Sequence, residues 1–270
     1  MKNGLHFPAF FLATAVLAGS TLAQEVSFKD PTGDDKGPGN YAYPTDKVYK
    51  AGSFDLTDVK IKVSGEKADL SVSVGSNLED PWGMGGGFAT QMVFIFIDTD
   101  NKEGSGFTKG LPGLNVAFAP ADAWDKVVIL SPQPQGRVKS EAETKAGWAK
   151  DAVVIPIRTR GAGRTISGSV ALKDLGAGDP AKWGYQVVMQ SNEGFPDKAD
   201  LLTRKVNEFE GQHRFGGGND GDCDPHAIDV LAGKGTGDKT EIEDQKKMLA
   251  YECEADGTSK KMATLPMIRK

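Results

Sequence analysis

The chain has 270 residues, with 34 glycines, 14 prolines, two cysteines, a charged fraction of 26% and a formal net charge of -5. This composition excludes collagen-like, coiled-coil and disulfide-scaffold classes, and the acidic balance argues against a nucleic-acid binder, which would carry a basic face. The length suits one large β-sandwich or two small domains, and abundant glycine with few aromatics points to tight turns and hence to β structure.

Residues 1–23 read as a secretory signal peptide. Lys2 supplies the positive start, residues 7–17 an apolar stretch, and Thr21-Leu22-Ala23 the small residues of a cleavage site before Gln24. The apolar stretch is shorter than the roughly 20 residues that cross a bilayer. The expected product is therefore secreted or periplasmic, has no membrane span, and carries a net charge of about -6 once Lys2 is lost. Residues 24–270 are expected to form a single domain.

Strand signals follow in order. Val59, Ile61 and Val63 alternate with lysines, and Leu70, Val72 and Val74 alternate with serine and glycine, so both stretches read as strands with one wet face. Residues 92–97 form a continuous apolar run, expected as a central strand covered on both sides. Further strands are expected at 115–118, 126–130, 152–157, 165–170 and 185–189. A long Gly- and Asp-rich loop spans 195–237, and the helix formers of 238–251 follow a capping-type start. The expected fold is all-β: an antiparallel β-sandwich with that long loop and a short C-terminal helix.

Export gives the cysteines a meaning. An even count in an oxidising compartment reads as a Cys223–Cys253 disulfide, against the alternative of two unpaired buried thiols. Three groups of oxygen donors stand out: Asp30, Asp34 and Asp35; Asp98 and Asp100; and Asn219, Asp220, Asp222 and Asp224. Each reads equally well as an acidic turn. Together they favour Ca²⁺, which gathers six to eight such oxygens, although none has the spacing of a full EF-hand loop.

No catalytic residue is assigned. Only His213 and His226 lie beyond the signal segment, and there is no GxSxG, HExxH or phosphate-cradling glycine loop. Trp82 lies in Asp80-Pro81-Trp82-Gly83, ahead of Gly85-Gly86-Gly87-Phe88. With Phe88, Gln91 and Tyr43 it would make an aromatic platform with polar groups for sugar hydroxyls. Trp82 reads equally as a corner-packing residue, while Trp124 reads as core.

Several ordered segments resemble the C-terminal module of glucodextranases and some amylopullulanases. The opening runs from Phe28-Lys29-Asp30-Pro31-Thr32-Gly33-Asp34-Asp35 to Tyr41-Ala42-Tyr43-Pro44-Thr45. Gly52-Ser53-Phe54-Asp55-Leu56-Thr57, Pro81-Trp82-Gly83, Ala123-Trp124-Asp125, Trp183-Gly184-Tyr185, Ile228-Asp229 and Ala263-Thr264-Leu265-Pro266 continue it. Where that family usually has Asn before Pro-Trp-Gly, this chain has Asp80. The resemblance implies a sandwich similar to DOMON-type and family 9 carbohydrate-binding modules. It implies a non-catalytic, calcium-stabilised domain that binds a polysaccharide or cell-envelope glycan, working with an envelope protein or a glycoside hydrolase in trans. It also implies that the opening loop and the end of the central strand meet at one end of the sandwich. Two other readings stay open: an envelope interaction subunit without a sugar site, and a haem-binding DOMON-type module using His or Met.

Overall fold

The computed structural model describes Met1 and residues 24–270, so the signal-peptide reading lies outside the described residues. In chain order the elements are β1 (Gln24–Lys29), β2 (Leu56–Ser64), β3 (Lys67–Val74), β4 (Gln91–Asp98), β5 (Val116–Phe118), β6 (Lys126–Leu130), helix α1 (Gln135–Lys145), β7 (Val153–Val154), β8 (Thr159–Ala162) and β9 (Thr165–Ala171). They continue with the one-turn α2 (Leu172–Leu175), β10 (Gly184–Ser191), β11 (Asp229–Val230), α3 (Glu241–Met248), β12 (Glu252–Cys253), β13 (Ser259–Lys261) and β14 (Ala263–Leu265).

Ten strands build two facing sheets, in the orders β1-β2-β3-β9-β8 and β11-β10-β4-β6-β7. The first is antiparallel throughout, and the second is antiparallel except for the β6–β7 pair. The fold is the expected all-β sandwich. In β2 and β3 the alternating Val59, Ile61, Val63, Leu70, Val72 and Val74 are buried, while the lysines and serines between them face outward. All eight residues of β4 are buried because two cores meet on it. Val93, Ile95 and Ile97 point into the core between the sheets. Met92, Phe94 and Phe96 point into a second core with Val116, Phe118, Val138 and Leu265, formed where α1 and the parallel β5–β14 pair cover the outer face.

Three features differ from the sequence expectations. Of residues 152–157 only Val153–Val154 are strand. Pro156 has no N–H to donate to a ladder, and its ring packs where a Cβ on Gly168 would come within 2.7 Å. The chain there crosses from the second sheet to β8 in the first. Helix α1 is absent from the sequence reading because its buried stripe is only Val138 and Ala142, flanked by glutamates and lysines that give no apolar face. The C-terminal helix is shorter than expected, and Asp238 Oδ1 accepts the Thr240 N–H (2.8 Å) at its start. The long loop contributes only the short β11, and the Cys223–Cys253 disulfide ties it to β12.

Candidate functional site

A buried carboxylate chamber lies where the loop after β1, the approach to β2 and β11 meet. Asp30, Asp34 and Asp229 bring carboxylate oxygens within 4.8 Å of one another, and all three are buried. Backbone N–H groups hold part of the set. Asp30 Oδ1 accepts from Ala232 (2.7 Å), Asp229 Oδ2 from Leu56 (2.7 Å) and Asp229 Oδ1 from Val230 (2.9 Å). Nearby, Asp55 Oδ1 accepts the Gly33 N–H at 2.9 Å. The turn before Asp34 needs Gly33 at φ +93°, a conformation side chains oppose.

The other oxygens of the chamber are orphaned. Asp30 Oδ2 and both oxygens of Asp34 are buried with no hydrogen-bond partner among the described residues. Leaving charged oxygens dry and unpaired is costly, and such groups neutralise unless a cation compensates them. Burial, followed by the charge of Asp34, pushes the Asp30 carboxyl well above the usual range, and burial with the charges of Asp30 and Asp34 does the same to Asp229. Burial raises Asp34 to about 7 and Asp55 to about 6. Asp34 also lines a hollow of about 210 Å³ with Gly33, Gly37 and Gln245. Hard oxygen donors short of positive partners fit a divalent cation such as Ca²⁺.

The other acidic groups behave differently. Asp98 and Asp100 converge with Asp125, not with the chamber. Asp98 lies opposite Gly184 at one end of the β4–β10 ladder, whereas Asp229 pairs with Met189, itself opposite Val93, so antiparallel register keeps the two groups apart. The expected meeting of the opening loop with the end of the central strand is thereby corrected. Much of that second group is already satisfied. Asp98 Oδ2 pairs with Arg269 (2.6 Å), and Asp125 Oδ2 accepts from the Thr99 N–H (2.8 Å) and hydroxyl (2.7 Å).

Asn219, Asp220, Asp222 and Asp224 do not form a ligand set, because their oxygens close the loop on itself. Asp224 Oδ1 accepts from Asn219 N–H (2.9 Å), Asp220 Oδ1 from Glu208 N–H (2.8 Å) and Asn219 Oδ1 from Gly221 N–H (2.8 Å). Asp222 pairs with Lys205 and with His226 (3.5 Å). Asp35 accepts from the Tyr43 hydroxyl and stands outside the converging trio. The His226 ring is committed too, since its Nδ1 accepts the Val206 N–H at 3.2 Å.

At the Gln91 end of the sheet, Trp82 is 36% exposed. Tyr49 and His213 meet its ring edge-on, at centroid distances of 6.4 and 6.1 Å, and the Arg204 guanidinium lies 5.6 Å from its centre. Arg204 is fixed in turn by Glu193 Oε2 (2.9 Å) and the Asn192 carbonyl (2.9 Å). Asp80 steadies the Trp82 loop, accepting the N–H groups of Met84 and Gly85 at 2.7 Å each.

The partners expected for Trp82 are elsewhere. Phe88 is completely buried, and Gln91 is buried with its Nε2 donating to the Ser53 carbonyl (2.9 Å), so neither offers a surface to a sugar. The half-buried Tyr43 ring packs on Phe215 and Phe54, and its hydroxyl accepts the Phe54 N–H. The residues around Trp82 are Tyr49, Arg204 and His213, from distant parts of the chain. Trp124 is core, as expected, with its Nε1 donating to the Lys109 carbonyl at 3.0 Å. Sequence reasoning also missed Asp55 and Asp229 as members of the chamber. Both sit in segments that carry the family resemblance, which was the one available signal.

Two facing, largely antiparallel sheets place the chain in the class of β-sandwich domains. Residues 26–268 match the family described as the C-terminal binding module, SLH-like, of glucodextranase, and the chain belongs to that family. No curated protein matches the chain. Among the described residues no helix is long and apolar enough to cross a membrane.

Proposed function

We propose that the chain is an exported, non-catalytic glycan-binding module, stabilised by calcium, that takes a polysaccharide or cell-envelope glycan on the Trp82 face. The observation that carries the reading is Trp82 itself, half-exposed yet braced by Tyr49, His213 and Arg204. A flat apolar ring held in advance costs little ordering on binding, and the arginine and histidine beside it can donate hydrogen bonds to ring hydroxyls. Binding to a glycan in trans would serve a glycoside hydrolase or an envelope protein acting on the same polymer.

Calcium in this reading sits on Asp30, Asp34 and Asp229, with Asp55 close by. The support is the orphaned, buried oxygens of Asp30 and Asp34, which a divalent ion would satisfy. A binding isotherm for a soluble α-glucan, measured with and without calcium on wild type and Trp82→Ala, tests the function. Tight binding by wild type and none by Trp82→Ala is expected; undiminished binding by a folded Trp82→Ala would remove this face from consideration.

A further inference from the structure

Trp148 is the most exposed of the indoles in the described residues, at 41%. It sits on a short 3₁₀ turn, Gly147–Ala149, directly after α1. The neighbours Ala146 and Ala149 are both buried, and the chain is held by the Ala146 N–H on the Ala142 carbonyl and the Ala149 N–H on the Ala146 carbonyl, at 2.8 Å each. The backbone is therefore anchored on both sides while the side chain faces out.

The ring is braced from below. Phe107 meets it edge-on at 5.3 Å and Trp124 at 6.1 Å, and those two rings pack on each other at 4.8 Å. Phe107 and Trp124 are locked by reciprocal backbone hydrogen bonds of 2.8 and 2.9 Å. The Lys109 ammonium lies over the indole ring, 5.8 Å from its centre, as a cationic donor beside the platform. The arrangement repeats the design around Trp82: one outward indole, two aromatic braces and one cationic donor.

The two platforms are far apart. Trp124 lies two residues before Lys126, the first residue of β6, which pairs with Ile97. The Trp82 brace Arg204 is bonded to Asn192, next to Ser191, which pairs with Gln91. Six residue steps along β4, from Gln91 to Ile97, separate those ends, roughly 20 Å along an extended strand. One sugar ring cannot touch both indoles.

We infer that Trp148 is a second sugar-ring platform, so that the module grips a glycan polymer at two separated points. The inference rests on the glycan reading of the Trp82 face. Each indole alone would hold a short oligosaccharide weakly, and joint engagement of one polymer raises the apparent affinity through effective concentration.

The test compares wild type, Trp148→Ala, Trp82→Ala and the double variant against dextran and its trisaccharide, with a thermal melt on each chain. Wild type should bind two trisaccharides per chain and each single variant one. Each single variant should also lose about 10²-fold in affinity for the polymer, the scale of a lost second contact. Trp148→Phe, which keeps an aromatic face, should retain most of the polymer affinity. One trisaccharide per wild-type chain, or unchanged polymer affinity in a folded Trp148→Ala, overturns the second platform and leaves the Trp82 reading standing. Absence of any binding by wild type overturns both.

Discussion

Asp30 follows the first strand and Asp229 lies on β11, yet with Asp34 their carboxylate oxygens fall within 4.8 Å of one another in a buried chamber. The contact joins the N-terminal strand to the segment that leads into α3. Gln245 of that helix closes the same corner: its Oε1 accepts the Val230 N–H at 3.1 Å, and its Nε2 donates to the Asp34 carbonyl. Three chain segments thus converge on like charges, and a bound cation would turn that repulsion into a clasp.

Chelation is the direct check. A metal that binds only the folded state at a hundredfold excess over Kd adds about 2.7 kcal/mol, which for a domain of this size is roughly 5–10 °C in Tm. EDTA should lower Tm by that amount, calcium should restore it, and Asp229→Asn should respond to neither. Unchanged melting in EDTA, with no metal found by elemental analysis, would refute the site.

Trp82 and Phe88 should part company on mutation. Trp82→Ala should abolish α-glucan binding with little loss of stability, because a substantial part of the ring is already in water. Phe88→Ala removes a fully buried ring and should cost about 3–5 kcal/mol. A denaturant titration of each, beside a binding isotherm, separates a surface role from a packing role.

The Cys223–Cys253 bond closes a loop with a sequence separation of 30. The chain-entropy model puts its stabilisation at about 3.6 kcal/mol. Cys223→Ser/Cys253→Ser should lower the unfolding free energy by that order in urea. Free thiols titrated in the unreduced native protein would contradict the pairing.

Asp222 gives a pH signature. Its hydrogen bond with His226, reinforced by Lys205 against the cost of burial, lowers its carboxyl from 3.8 to about 2. A carboxyl lowered on folding contributes stability above its unfolded value and loses it as pH falls through the folded one. Stability measured from pH 4 to pH 2 should therefore fall less steeply in Asp222→Asn than in wild type. An identical slope in the two proteins would rule out the pairing in solution.

What the sequence by itself determined is what repeats at short range. The alternation at Val59–Val63 and Leu70–Val74 specifies strands with one dry face, and the unbroken run at 92–97 specifies a strand between two cores, because side-chain direction in a strand follows the period of two. The acidic opening loop of Asp30 and Asp34 was legible from its composition, and the Cys223–Cys253 pair from an even cysteine count. Helix α1 was not, since two small buried residues among charges leave no apolar stripe to read. Only the tertiary structure decided which acids share a space and which rings share a face. Packing of the two sheets brings Asp229 to Asp30, and the β4–β10 register sends Asp98 to the other end of the second sheet. Packing also buries Phe88 and Gln91 beneath the loop they flank, and sets Tyr49, Arg204 and His213 around Trp82 instead. Such neighbours are separated by most of the chain, and their contact depends on register between strands, a property of the whole sheet that no local window of residues contains.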